Sequence, residues 1–200
     1  MNRLSLVVLM TTVLFSCAPR KDTYRYHVTK ANTANHQFKQ LLIVSAGSMA
    51  NRKVAQDLKY ALDKSFRKIG VTTAYEHLGN AEFCTPENVK IAAGKYPHDA
   101  VFVITPLSVA NAVMIPVYNH ASTDFRTNEL QSVQTTGRAI DVSYQTSTFS
   151  LFDDADYANP YWTANVDLSI NLAAEKVYDK LAAGLLKTWK TEGIVAGSVR

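Results

Sequence analysis

The chain has little cysteine, no long apolar run and no excess of charge of either sign. Only Cys17 and Cys84 occur among its 200 residues, so at most one internal disulfide is open to it. The apolar stretch Leu4 to Phe15 (LSLVVLMTTVLF) has twelve residues. That falls short of the roughly 20 a membrane-spanning helix needs. The leader carries one of the 21 basic residues, which leaves 20 against 17 acidic ones, a balance of +3. A surplus that mild, spread along the chain, argues against a nucleic-acid surface. The dinucleotide, phosphate-loop, zinc-protease, EF-hand and nucleophile-elbow motifs are all missing. Yet 47% of the residues are apolar, which is a globular composition rather than a disordered one.

The amino-terminal segment is the most informative part. Arg3 supplies a basic start, the twelve-residue apolar region follows, and Ser16 precedes Cys17. This order reads as a secretory signal. Leu14-Phe15-Ser16-Cys17 resembles the lipobox of bacterial lipoproteins. That resemblance implies cleavage before Cys17 and acylation of its thiol, with residues 1–16 as the signal peptide. Residues 17–39, lacking apolar periodicity, read as the lipidated cysteine and a flexible tether reaching at most about 75 Å. Acylation leaves Cys84 without a partner in the chain. It stands before a helix start, where it reads either as a small buried side chain or as a thiol made reactive by the helix end.

Residues 40–195 read as one α/β domain bordering on α+β, with a five-residue tail, 196–200. Gln40 to Ala46 is an apolar strand covered on both faces. Met49 to Ile69 has helical spacing, with Val54, Leu58, Ala61, Leu62, Phe66 and Ile69 on one face and Gly70 as a left-handed cap. Val71 to Tyr75 is a second strand, and Thr85-Pro86-Glu87 starts a short helix ending near Gly94. Asp99 to Thr105 is a third buried strand, stopped by Pro106. Within residues 107–134, Val109 to Val117 fits an edge strand, with Pro116 confined to an edge by its missing N–H, or a surface loop. Ile140 to Thr148 and Trp162 to Leu168 alternate as the arms of a long hairpin around a polar turn at Asp153 to Pro160. Asn171 to Lys190 is an amphipathic helix buried through Ala174, Val177, Leu181, Leu185 and Trp189. The expected fold is therefore a single mixed sheet of five to six strands packed by two long helices and one short one.

The polar residues form no coherent catalytic set. His27, His36, His77, His98 and His120 lack metal-ligand spacing, and no metal or other cofactor is expected. The carboxylates Asp153, Asp154 and Asp156 read as a solvated turn. Tyr157 and Tyr161, beside that turn, are candidates for contact with a protein partner or a glycan; Trp162 reads as core.

The order of these elements, with LLIVSA…LDKSFRKIG, DAVFVIT and a YWTANVDLS-like strand before the last helix, resembles two envelope proteins. These are the amino-terminal domain of the Tol-system translocation protein and the globular part of the curli secretion lipoprotein. The resemblance implies lipid anchorage and a role in envelope assembly or maintenance. Ala18 after the cysteine favours the periplasmic face of the outer membrane. The leading expectation is a non-enzymatic lipoprotein held in the bilayer through Cys17 and binding an envelope protein. The alternatives are a small-ligand or glycan module using Tyr157, Tyr161 and residues 107–134, and a hydrolase built on Ser48 with His98 or His120.

Overall fold

Four successive apolar residues, Leu41 to Val44, are all buried, but they do not enter the same core. Leu41 and Ile43 join a large cluster on one face of a sheet, Leu42 and Val44 a smaller cluster on the other. A computed structural model describes residues 23–32, 37–115, 117–123, 130–171 and 176–195. Its strands are β1 (Thr23–Ala31), β2 (Gln40–Ser45), β3 (Thr72–His77), β4 (Ala100–Met114), β5 (Val117–Thr123), β6 (Leu130–Thr136), β7 (Ile140–Asp153) and β8 (Trp162–Asn171). The helices are α1 (Met49–Phe66), α2 (Pro86–Ala93) and α3 (Lys176–Thr191). Six strands make one mixed sheet in the order β1-β8-β7-β4-β2-β3, and β5 and β6 pair separately. The fold class expected from the sequence is the one observed.

Local chemistry accounts for the helices. The Ser48 hydroxyl caps α1 by accepting from the Asn51 amide, and Gly70 turns left-handed (φ 72°) just past its end. Thr85 caps α2 by accepting from the Asn88 amide, with Pro86 in the first turn. The helix α1 buries Val54, Leu58, Ala61, Leu62 and Phe66, as its spacing predicts; Ile69 is only partly buried. On α3, Leu181, Leu185 and Trp189 are buried with Val177, Tyr178 and Ala182.

Trp189 is the hub of the large core. Its ring meets Phe38, Phe102 and Trp162 edge-on at centroid distances of 5.9, 5.3 and 5.6 Å, and stacks with Phe66 at 6.2 Å. One side chain thus ties α3 to α1, β4, β8 and the segment before β2. Aromatic pairs of this kind add about 0.5–1.5 kcal/mol each beyond the area they bury.

Two expectations fail. Part of the segment read as a tether is β1, antiparallel to β8, so the domain begins before residue 40. Tyr24, Tyr26 and Val28 alternate inward onto the large core. The Tyr26 hydroxyl bonds Thr188 and the Gly184 carbonyl, and that of Tyr24 donates to the Lys180 carbonyl at 3.1 Å. These contacts order a segment whose Thr23, Tyr24, Tyr26, Val28 and Thr29 are residue types that favour strands. Cys17, the signal peptide and the tail 196–200 lie outside the described residues. The second failure is at Pro106, which does not stop β4. The strand bulges between Pro106 and Ser108 and runs on to Met114 against β7. Its pairing with β2 ends at Ile104. Beyond that point one side of β4 has no strand partner among the described residues, an edge position where proline's missing N–H is tolerated.

Replacing Trp189 by Ala is expected to cost about 3–5 kcal/mol in urea unfolding. Replacing Tyr60, 75% exposed on α1, should change stability by no more than about 0.5 kcal/mol. Similar losses from both would remove Trp189 as the hub.

Candidate functional site

The three parallel strands place β2 between β3 and β4. The connecting helices lie on opposite faces, α1 over the large core and α2 over the small one. Where the chain leaves β2, the two crossovers diverge and a crevice opens at the carboxyl ends of the strands. It is lined by Gly47, Ser48 and Asn51, by residues 80–82, and by residues 106–109, with a volume of about 470 Å³. That is within the range of small-molecule sites.

A chain of polar groups holds the floor. Ser45, wholly buried at the end of β2, lies opposite His77 in the parallel register. Its hydroxyl is 2.8 Å from the Tyr75 hydroxyl and 2.9 Å from His77 Nδ1. Burial, then the nearby Arg52 guanidinium, holds the His77 imidazole below its ordinary value; Glu76 and a hydrogen bond to the Gly47 backbone oppose the shift. Burial pushes the Tyr75 phenol up. The Ser45 hydroxyl, able both to donate and to accept, thus bridges the Tyr75 hydroxyl and a His77 ring that its surroundings favour in the neutral form. Gly47 N–H in turn donates to the Gly79 carbonyl at 2.6 Å. With its hydroxyl engaged and no exposed surface, Ser45 is a structural link rather than a nucleophile. It fixes the turn from which α1 starts.

The residues singled out from sequence go elsewhere. Tyr161 is buried in the large core, 7% exposed, and burial pushes its phenol well above the usual range. Tyr157 is half-buried against the small cluster, its hydroxyl 3.1 Å from His98 Nε2. Tyr161 is thus packed inside rather than presented at the tip, while Tyr157 keeps part of its ring exposed. The turn folds back because Asp156 accepts from the amides of Ala158 and Asn159 and from the Asn159 side chain, bonds that also hold its carboxyl below the usual carboxylate range. Ser48 follows the carboxyl end of β2, and His98 precedes the amino end of the parallel β4. They sit at opposite ends of the sheet, about 16 Å apart along five strand residues. His120 lies on β5, outside the six-stranded sheet. Ser48 and His98 therefore do not pair. Cys84 is half-buried, its sulfur 3.5 Å from the Thr105 hydroxyl. Among the described residues no three His, Cys, Asp or Glu side chains cluster as a metal site.

A second feature escaped sequence reasoning. Past Ile104, β4 continues to Met114 as a ribbon along β7, whose other side stays paired with β8 as far as Val142, and β5 pairs with β6 as a hairpin between β4 and β7 in the chain. Leu107, Val113, Ile115, Val117 and Tyr118 are each more than half exposed there. The signal was present in the sequence: no Lys, Arg, Asp or Glu occurs from Ala100 to Thr123.

No family model matches the chain, and no curated protein matches it. Among solved structures it is similar to the PelC dodecamer from Paraburkholderia phytofirmans, at 10% identity and a TM-score of 0.44. That match covers 88% of this chain and 100% of the other. A dodecamer of a PelC variant from the same organism matches at 13% identity and a TM-score of 0.42, over 83% of this chain and 96% of the other. A PDZ domain protein from Parabacteroides distasonis matches at 9% identity and a TM-score of 0.33, and 42% of that chain is covered by the whole of this one. Likenesses of this degree assign no family and carry no functional argument.

The polar chain predicts a pH dependence. A histidine whose folded pKa lies below the ordinary 6.5 favours folding above that value, and the contribution is lost as pH falls through the folded pKa. Between about pH 7.5 and pH 5, the denaturation midpoint of the native protein should fall further than that of His77→Gln. Parallel slopes would contradict the assignment.

Proposed function

We propose that this chain is an envelope lipoprotein, acylated at Cys17, that works by holding a protein partner rather than by catalysis. The observation that carries the reading is the ribbon: exposed apolar side chains on a stretch of 24 residues without a formal charge. Large exposed apolar surfaces on a folded domain mark interaction sites. One edge of β4 beyond Ile104 has no strand partner among the described residues, so an incoming segment could also bond its backbone. The signal segment and the Leu14-Phe15-Ser16-Cys17 sequence support anchorage. With Ala18 next, the periplasmic face of the outer membrane is the favoured location. The engaged hydroxyl of Ser45 and the separation of Ser48 from His98 weigh against a hydrolase.

Two measurements test this. Metabolic labelling with a clickable palmitate should mark the native chain and leave Cys17→Ser unmarked; equal labelling of both, or of neither, contradicts anchorage. Envelope crosslinking with mass spectrometry should recover one specific partner, and that crosslink should vanish in a Val113→Asp, Val117→Asp double variant. Both positions are exposed, so the variant's stability should stay within about 0.5 kcal/mol per change. An undiminished crosslink would place the contact elsewhere.

A further inference from the structure

The start of β1 and the apolar ribbon leave the sheet at the same end. Thr23 pairs with Ser169, Ser169 with Tyr144 on β7, and Tyr144 with Ala110 on β4. Three strand spacings put Thr23 about 14 Å from Ala110. The two outer strands run in opposite directions, since each of the three pairings between them is antiparallel. The chain preceding Thr23 therefore lies toward the Met114 end of β4. From Ala110 that strand continues four residues to Met114, about 13 Å further.

The connection to the anchor is short. Only residues 18–22 separate Cys17 from Thr23. Fully extended, that length of chain reaches about 20 Å. Acyl chains at Cys17 thus hold this end of the sheet within about 20 Å of a bilayer, and the ribbon projects across about 13 Å of that distance. The opposite end of the sheet carries the acidic β7–β8 turn, with Asp154 and Asp156 exposed.

The chemistry of the ribbon suits a membrane surface. Val113, Ile115, Val117 and Tyr118 are each more than half exposed, and no formal charge occurs from Ala100 to Thr123. A charge in that stretch would resist burial among lipids. Tyrosine is enriched where headgroups meet acyl chains. Two features set the depth. Asp141 stands in register with Val113, and one edge of β4 has no strand partner among the described residues. Hydrocarbon tolerates neither a charge nor an unpaired peptide group, so the level that fits is that of the headgroups.

We propose that the bilayer holding the Cys17 acyl chains also seats the outer part of the ribbon, with Val113, Ile115, Val117 and Tyr118 at headgroup level and the β7–β8 turn pointing away. The inference rests on acylation of Cys17 and gives the anchored domain a fixed orientation. The β4 edge between Ser108 and Ala112 stays open to a protein partner and is held at a set height above the lipid. Asp at Val113 and Val117 disturbs that presentation as well as the seat.

Quenching by brominated lipid tests this on the full acylated chain in phosphatidylcholine vesicles brominated near the carbonyl end of the acyl chains. Trp162 and Trp189 supply a fixed background, because neither has exposed surface. Trp162 also lies seven residues along β8 from Ser169, about 23 Å from the seat. Tyr118→Trp and Val113→Trp should each add emission that the brominated vesicles quench. Ala158→Trp, exposed in the β7–β8 turn, should add emission that they do not. Adding Val117→Asp to Tyr118→Trp should remove most of the quenching while the chain still floats with the vesicles. The proposal is overturned if both ribbon tryptophans escape quenching, if Ala158→Trp is quenched as strongly, or if Val117→Asp changes nothing. The vesicles hold no partner protein, so the readout is independent of envelope crosslinking. A chain that floats without ribbon quenching overturns the seat alone; one that does not float overturns the anchorage and the seat with it.

Discussion

Strand β4 is longer than its parallel neighbour can cover. It runs for 15 residues beside a β2 of six, and their pairing ends at Ile104. The inner part of β4 is a central strand, with Phe102 and Ile104 in one core and Val101 and Val103 in the other. The outer part has β7 on one side and, among the described residues, no strand on the other. Both functional features follow from that mismatch. The crevice forms where β2 stops and its crossover turns away; the ribbon is the stretch of β4 beyond that point, which keeps β7, itself backed by β8, on one side.

The packed half supplies the rigidity this arrangement needs. Trp189 fastens the last helix to α1, β4 and β8, while α2 covers the opposite face through Val89 and Ala93. The chain Tyr75–Ser45–His77 ties the β2–α1 turn to the end of β3 with hydrogen bonds of ordinary length. A crevice between fixed walls can present donors, acceptors and apolar surface without rearranging, which lowers the ordering cost of binding.

Much of the fold was legible in the sequence, for reasons that differ by element. The strand β2 could be read because four consecutive buried apolar residues have few alternatives. The helices could be read from Ser48, Thr85-Pro86 and Gly70, whose capping roles depend only on neighbours a few residues away. The hairpin β7–β8 showed in its alternation. By contrast β1 was hidden, since its inward residues Tyr24, Tyr26 and Val28 are spaced by Arg25 and His27 in a stretch rich in Thr and Lys. Pro106 misled because its effect depends on whether a neighbouring strand is present, a tertiary fact. The candidate site was the least legible part. Ser45 and His77 meet only through the parallel register of β2 and β3, and Asn51 and Pro106 line one crevice only because β4 comes to rest beside β2. The tyrosines of the β7–β8 turn looked exposed, but the Asp156 hydrogen bonds fold that turn back on the sheet.

The central claim is that β4 changes from a doubly paired strand to an ordered, half-open ribbon after Ile104. Residue-resolved amide hydrogen exchange reads this directly. From Ser108 to Met114, amides facing β7 should exchange slowly and those facing the open edge quickly, in alternation, whereas those of Val101 to Val103 should all be protected. Uniformly fast exchange from Ser108 onward would show that no ribbon forms, and uniform protection would show that the edge is already covered.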